Sequence, residues 1–214
     1  LQLLAQQEGL VGWWDFEQTP SAALLDKSGR GNDGSWYGTS QQRYVAGKVG
    51  SLAGQFNGVD DYVDMGGNSS LEVNTGDFSL AAWVKTSENV SDRRVLSKHY
   101  QVYELVVDLA KPTIIVATGG GGPNDRVVST DTINDDGWHH IVGLRQGSII
   151  RIFVDGILKN SKSITLYTTS NNNPFNMGRF SGSGYNFTGT IDDARVYSRA
   201  LSAVEIKAIY DATK

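Results

Sequence analysis

Apolar residues recur along this chain with a period of two, and glycine interrupts that period at short intervals. Val11-Gly12-Trp13-Trp14-Asp15-Phe16-Glu17 sets Trp14 and Phe16 on one face and Asp15 and Glu17 on the other. Phe78-Ser79-Leu80-Ala81-Ala82-Trp83-Val84 reads as a more apolar strand. Residues 140–145 and 149–154 read as two strands joined by the short turn Gln146-Gly147-Ser148. Asp155-Gly156 ends the second of them, and Ile157-Leu158 begins the next as in a hairpin. Residues 189–197 make a last strand of the same kind. A strand sends successive side chains to opposite faces, so this period is that of half-buried sheet. Short strands at such spacing, punctuated by glycine turns, imply a sandwich or a barrel. One helix is expected, at the end. Ser202 followed by Glu205 forms a capping box, and Val204, Ile206, Ile209 and Tyr210 are its apolar contacts.

The 214 residues suit one large all-β domain, and at that size about 70% of the unfolded surface can be buried without staples. No linker divides the chain, so residues 9–214 are expected to form one domain. Residues 1–8 are expected to be a linker or the end of a preceding segment, because they have neither the basic start nor the apolar stretch of a signal peptide. Cysteine is absent, which excludes a disulfide framework, zinc–cysteine sites and thiol nucleophiles. A net charge of −4 argues against nucleic acid or an anionic membrane as the main partner. No apolar run is long enough to insert into a membrane.

Seven segments resemble, in order, the bacterial laminin-G-like domains of the concanavalin A-like lectin/glucanase superfamily. They are residues 9–17, the Asp26-Lys27-Ser28-Gly29-Arg30-Gly31-Asn32-Asp33-Gly34 loop, and Phe56-Asn57-Gly58-Val59-Asp60-Asp61-Tyr62-Val63. Residues 78–84, Trp138-His139-His140-Ile141, Phe153-Val154-Asp155-Gly156 and residues 189–206 follow. The resemblance implies a two-sheet antiparallel β-sandwich of the jelly-roll type, with one concave sheet and binding at its face or rim loops. Fold alone does not assign function, because this architecture carries glucanases, lectins and protein-interaction modules.

A glucanase needs two carboxylates that reach one glycosidic bond. The nearest pair here is Glu104 and Asp108, four residues apart and so about 13 Å along an ideal strand, which is too far for a retaining pair. An exposed strand face is the simpler reading of both. Among His99, His139 and His140, the adjacent two point to opposite strand faces and cannot form one metal triad. One of them is expected to be buried beside Trp138 and the other solvated. No Gly-x-Ser-x-Gly turn occurs. The expected function is therefore non-catalytic: a glycan-binding, lectin-like module of a larger secreted or surface protein. The alternatives are an adhesion or protein-interaction module and, less favoured, a glucanase.

Hard oxygen ligands supply the other chemical signal. The resemblance implies a structural calcium that ties the first strand, the following loop and the last strand. Asp192 would be its best ligand, with Asp15, Glu17, Asp26, Asn32 and loop carbonyls completing the shell. The competing reading is that Asp26 and Ser28 cap a turn. For a glycan, an aromatic platform beside planar polar groups is expected, built from His99, Tyr100, Tyr103, Arg145, Arg179, Tyr185 and Asn186. Each of these could instead serve packing.

Overall fold

The computed structural model describes residues 7–18, 23–98, 102–117, 125–166, 173–180 and 184–214. The first half contains β1 (Leu10–Trp14), β2 (Ala23–Leu24), β3 (Gly34–Tyr37), β4 (Tyr44–Ala46), β5 (Leu52–Asn57), β6 (Tyr62–Asp64), β7 (Phe78–Lys85) and β8 (Arg93–Lys98). The second contains β9 (Tyr103–Asp108), β10 (Lys111–Val116), β11 (Asp125–Val128), β12 (Trp138–Gln146), β13 (Ile149–Val154), β14 (Ile157–Ser163), β15 (Phe175–Met177) and β16 (Thr188–Tyr197). They form two antiparallel sheets and a jelly-roll sandwich. The first sheet runs β14-β13-β12-β7-β16-β5-β4, with β1 beside the end of β16, and the second runs β11-β10-β9-β8-β15-β6-β3-β2.

Register explains which residues the second sheet buries. Trp36, Val63, Met177, Leu96, Leu105, Ile114 and Val127 lie opposite one another across six successive strand pairs, and all belong to the core. The first sheet supplies Phe56, Leu80, Ala82, Val84, Ile141, Ile152, Ile191 and Val196 to the same core. Trp14 and Phe16 are both fully buried in it, as the alternation of the first strand requires.

The other face of the first sheet is sealed by the C-terminal helix Ala203–Thr213. Leu10, Ala81, Val142, Leu144, Phe153 and Tyr197 on that face pack with Leu201, Ile206 and Ile209. Ser202 accepts a hydrogen bond from the Glu205 amide, and Glu205 accepts one from the Ser202 amide at 2.8 Å, which completes the expected capping box. Val204 departs from expectation at 79% exposed, because the i, i+3 pair Ile206 and Ile209 already defines the buried stripe. Ser202→Ala is expected to lower stability by about 1 kcal/mol in urea unfolding, with no change in the slope of the transition.

Glycine at 189 is required by backbone geometry. It sits at φ +137°, where a β-carbon would meet the Lys85 carbonyl oxygen at 2.3 Å.

Candidate binding face

The helix covers one face of the first sheet; the outer face of the second sheet is closed from solvent at its centre, at Ser97, Glu104, Thr113 and Asn176, and opens at the Tyr37 end. The same register that buries Leu96 and Leu105 turns their neighbours outward. Ser35, Asp64, Asn176, Ser97, Glu104, Ile115 and Arg126 form one cross-strand row. Arg94, Val106, Thr113 and Val128 form another, with Tyr62 and Tyr37 paired at its far end. This face is therefore predominantly polar, in contrast to the apolar face beneath it.

Tyr37 and Tyr62 stack at 4.8 Å with their planes 8° apart, because a directly opposed strand pair holds two rings at the interstrand spacing. The Arg179 guanidinium lies 3.6 Å from the centre of the Tyr62 ring. Desolvation raises the Tyr62 pKa, and Arg179 opposes that rise. Tyr37 remains 46% exposed. Next along the sheet, the loop after β15 turns back over β8. Its Tyr185 carbonyl accepts a hydrogen bond from the Arg94 amide, and Phe180 and Tyr185 both pack on the Arg94 guanidinium.

Beneath those rings lies an ionic network. Arg94 donates to Glu104 at 3.1 Å, and Ser97 donates to the other Glu104 oxygen at 2.9 Å. Arg126 bridges Asp92 at 2.5 Å and Asp108 at 3.0 Å. Glu104 is closed from solvent, contrary to the exposed strand face expected of it. Burial pushes its carboxyl pKa up, against the pull of Arg94. Asn176 is also closed from solvent, and among the described residues its side-chain oxygen has no hydrogen-bond donor.

The structure separates the expected ligand residues. Arg179 and Tyr185 lie on this face. Asn186 adjoins it, but is largely buried with its amide donating to the Val59 carbonyl. Tyr103 does not belong to the face. It points inward, fully buried, with its hydroxyl donating to the Leu71 carbonyl at 2.7 Å, and burial raises its pKa. Arg145 does not belong either. Its guanidinium is buried over Phe78 and donates to the Asn74 and Gly76 carbonyls, closing a loop remote in sequence. His99 and Tyr100 lie outside the described residues, as does all of the Gly119–Asn124 loop. Tyr37 and Tyr62 were missed as a pair, although each sits one residue from a core residue, Trp36 or Val63, and so must face outward. His140 is buried as one of the two adjacent histidines should be, but against Trp83 rather than Trp138. His139 lies between Asp135 and Asp155, whose hydrogen bonds raise its pKa.

The expected calcium ligands are committed to the backbone. Asp192 accepts from the Lys48 and Val49 amides at 2.8 Å each and from the Asp193 amide at 2.7 Å. Glu17 accepts from the Ser51 and Leu52 amides, and Asp15 from the Glu17 amide. Asp26 accepts from the Trp13, Ser28 and Asn32 amides, which is the turn-capping role. The Asn32 amide nitrogen donates to the Val11 carbonyl and to Ser70. A calcium ion needs six to eight oxygens converging on one point. Among the described residues no three His, Cys, Asp or Glu side chains converge so. The carboxylates close the first strand and its neighbouring loops by these hydrogen bonds. The local cause at Asp192 is a β-bulge. The β16–β7 register shifts between Asp192 and Arg195, with Asp193 at φ +44°, and this turns Asp192 to the 48–49 loop.

Residues 57–207 match the family described as the concanavalin A-like lectin/glucanases superfamily. The chain belongs to that superfamily. No curated protein matches the chain. Among solved structures, the binding domain of Paraclostridial Mosquitocidal Protein 1 superposes with a TM-score of 0.79 at 16% identity, over 97% of this chain and 53% of that one. The binding domain of botulinum neurotoxin DC in complex with SialylT superposes at 0.75 and 10% identity, over 98% and 52%. The same neurotoxin domain in complex with rat synaptotagmin II gives 0.74 at 10%, over 97% and 52%. The chain thus spans about half the length of these neighbours, and at such identities they establish the shared fold of the superfamily alone. No helix among the described residues is long and apolar enough to cross a membrane.

Proposed function

We propose that this chain is a non-catalytic glycan-binding module of a larger secreted or surface protein, with the outer face of the second sheet as its binding face. One observation carries the reading. The Tyr37–Tyr62–Arg179 ladder stands on a polar sheet face, while the equivalent face of the other sheet is closed by the helix. A sugar ring offers C–H groups to an aromatic ring and hydroxyls to planar polar groups, and the exposed Tyr37 ring and the Arg179 guanidinium supply these on the two sides of Tyr62. Two neighbours with the same fold are described with sialylated or ganglioside ligands, which supports the reading without transferring their sites. The carboxylates of the face support a non-enzymatic role. Glu104 is tied to Arg94, and Asp108 is tied to Arg126, so neither is placed as a free acid or nucleophile.

The test is a glycan array followed by titration calorimetry on any hit. Tyr37→Ala and Tyr62→Ala are each expected to weaken a hit about tenfold or more, because the first removes the exposed ring and the second the ring that holds both Tyr37 and Arg179 in place. An unchanged affinity in both variants would move the site elsewhere. A protein-binding role finds separate support at β14, an edge strand with Ile157 and Leu158 about half exposed. It gains weight if the array is blank.

A further inference from the structure

We propose that Arg179 makes this face selective for acidic sugars, by holding the carboxylate of a sialic or uronic acid residue. The inference rests on the glycan-binding reading above and names the class of glycan.

The argument starts from how Arg179 is held. Its guanidinium stacks on Tyr62 at 3.6 Å, so one flat face of the cation is taken by the ring. Its edge is not taken. Among the described residues Arg179 donates no hydrogen bond and forms no ion pair, and its Nε–H is closed from solvent without an acceptor. The other arginines of this face are committed differently. Arg94 is paired with Glu104 and Asp92, Arg126 with Asp92 and Asp108, and Arg93 donates to the Asn186 carbonyl. The nearest acid on the same strand as Tyr62 is Asp64, which accepts from the Gly66 amide at 2.7 Å and forms no ion pair with Arg179.

A half-buried guanidinium has given up part of its hydration, and an unfilled Nε–H is a cost until an acceptor arrives. Stacking fixes the plane of the fork, and with Nε closed from solvent the two terminal nitrogens are the donors a ligand can reach. That is the arrangement that recognises a planar carboxylate through two parallel hydrogen bonds. A neutral sugar offers hydroxyls, each of which meets one donor. A sialic or uronic acid offers two charged oxygens in one plane, while its ring can lie along the Tyr37–Tyr62 stack. The overall charge of −4 works against any anion at long range, so the preference must come from this local contact.

Titration calorimetry with sialyllactose against lactose, and with trigalacturonic acid against its methyl ester, tests the inference and separates the two sources of the carboxylate. The chain is expected to bind at least one acid about tenfold more tightly than its neutral counterpart, with the ratio falling as salt is raised. Arg179→Gln should abolish the ratio by lowering affinity for the acid to that for its neutral counterpart, whereas Arg179→Lys should retain only part of it, since lysine keeps the charge and loses the fork. A matching urea midpoint for each variant establishes that the fold is intact. Equal affinity for acid and neutral sugars, or a ratio unchanged in Arg179→Gln, overturns the inference and leaves the glycan-binding reading standing. Absence of binding to every sugar overturns both.

Discussion

Asp192→Ala is expected to destabilise the protein by about 3 kcal/mol at pH 8, and by the same amount in calcium as in a chelator. The size follows from what the side chain does. Its carboxylate accepts three backbone N–H donors, those of Lys48, Val49 and Asp193, at 2.7 to 2.8 Å. Truncation leaves three partly or fully buried amides without acceptors, each costing about 1 kcal/mol or more. Burial raises the pKa of Asp192 to about 7, which is why the comparison belongs at pH 8, where the carboxyl is ionised. Its folded pKa lies above its unfolded one. Its pH-linked contribution is therefore complete below about 4 and is lost as the pH rises through about 7. Asp192→Asn keeps one acceptor oxygen and should lose roughly half as much. Thermal or urea unfolding with and without calcium decides the matter. If calcium stabilises the wild type by more than a few tenths of a kcal/mol and leaves Asp192→Ala unmoved, the carboxylate serves the ion and the hydrogen-bond account fails.

The fold was legible because strand alternation and turn chemistry are local. The Gln146-Gly147-Ser148 turn, the Asp155-Gly156 turn and the Ser202–Glu205 capping box each lie within a few residues, and the structure contains all three. The site was legible only in part, because face parity is not local in an apolar strand. Tyr103-Glu104-Leu105-Val106-Val107-Asp108 carries apolar residues on both faces. Only its pairing with β8 and β10 tells that Tyr103 turns inward and Glu104 outward. Arg145 illustrates a second limit. Its acceptors are carbonyls about 70 residues away, and a backbone oxygen leaves no trace in residue identity. The carboxylates expected to hold calcium illustrate a third limit. Aspartates beside glycines suit a metal loop and a carboxylate-capped turn equally well, and only the direction of the amides separates the two. Tyr37 and Tyr62 meet because two strands that are remote in sequence share a register, which the pattern of either strand alone does not reveal.

His140→Phe is expected to flatten the acid limb of stability. His140 lies opposite Trp83, and Asp192 faces the same tryptophan from β16, so the three form one row under the helix. The imidazole packs at 5.4 Å from the Trp83 ring and 6.4 Å from Tyr210, with its Nδ1 buried and without a partner among the described residues. Burial lowers its pKa to about 3, helped by the charge of Arg195 and opposed by that of Asp155. The sign is that of a depressed group. The unfolded chain takes up a proton near pH 6.5, and the folded protein does not do so until about 3. Acidification between those values therefore favours unfolding by up to about 1.4 kcal/mol per pH unit. Lowering the pH from 7 to 4 costs the wild type about 3 kcal/mol through this residue alone. Phenylalanine fills the same space between Trp83 and Tyr210, carries no proton and leaves no donor or acceptor stranded, so the variant should escape that loss. His139 supplies the internal contrast. Its pKa is raised by Asp155 and Asp135, so its contribution is complete below about 6.5 and is lost as the pH rises through its folded value. Urea unfolding of wild type and His140→Phe at half-unit steps from pH 4 to 7 reads the difference directly. The two stability curves should converge toward neutrality or cross there, and separate by about 3 kcal/mol relative to that point at pH 4. Parallel curves would mean that the imidazole is protonated in the folded state as readily as in the unfolded chain, and that the aromatic enclosure does not hold it neutral.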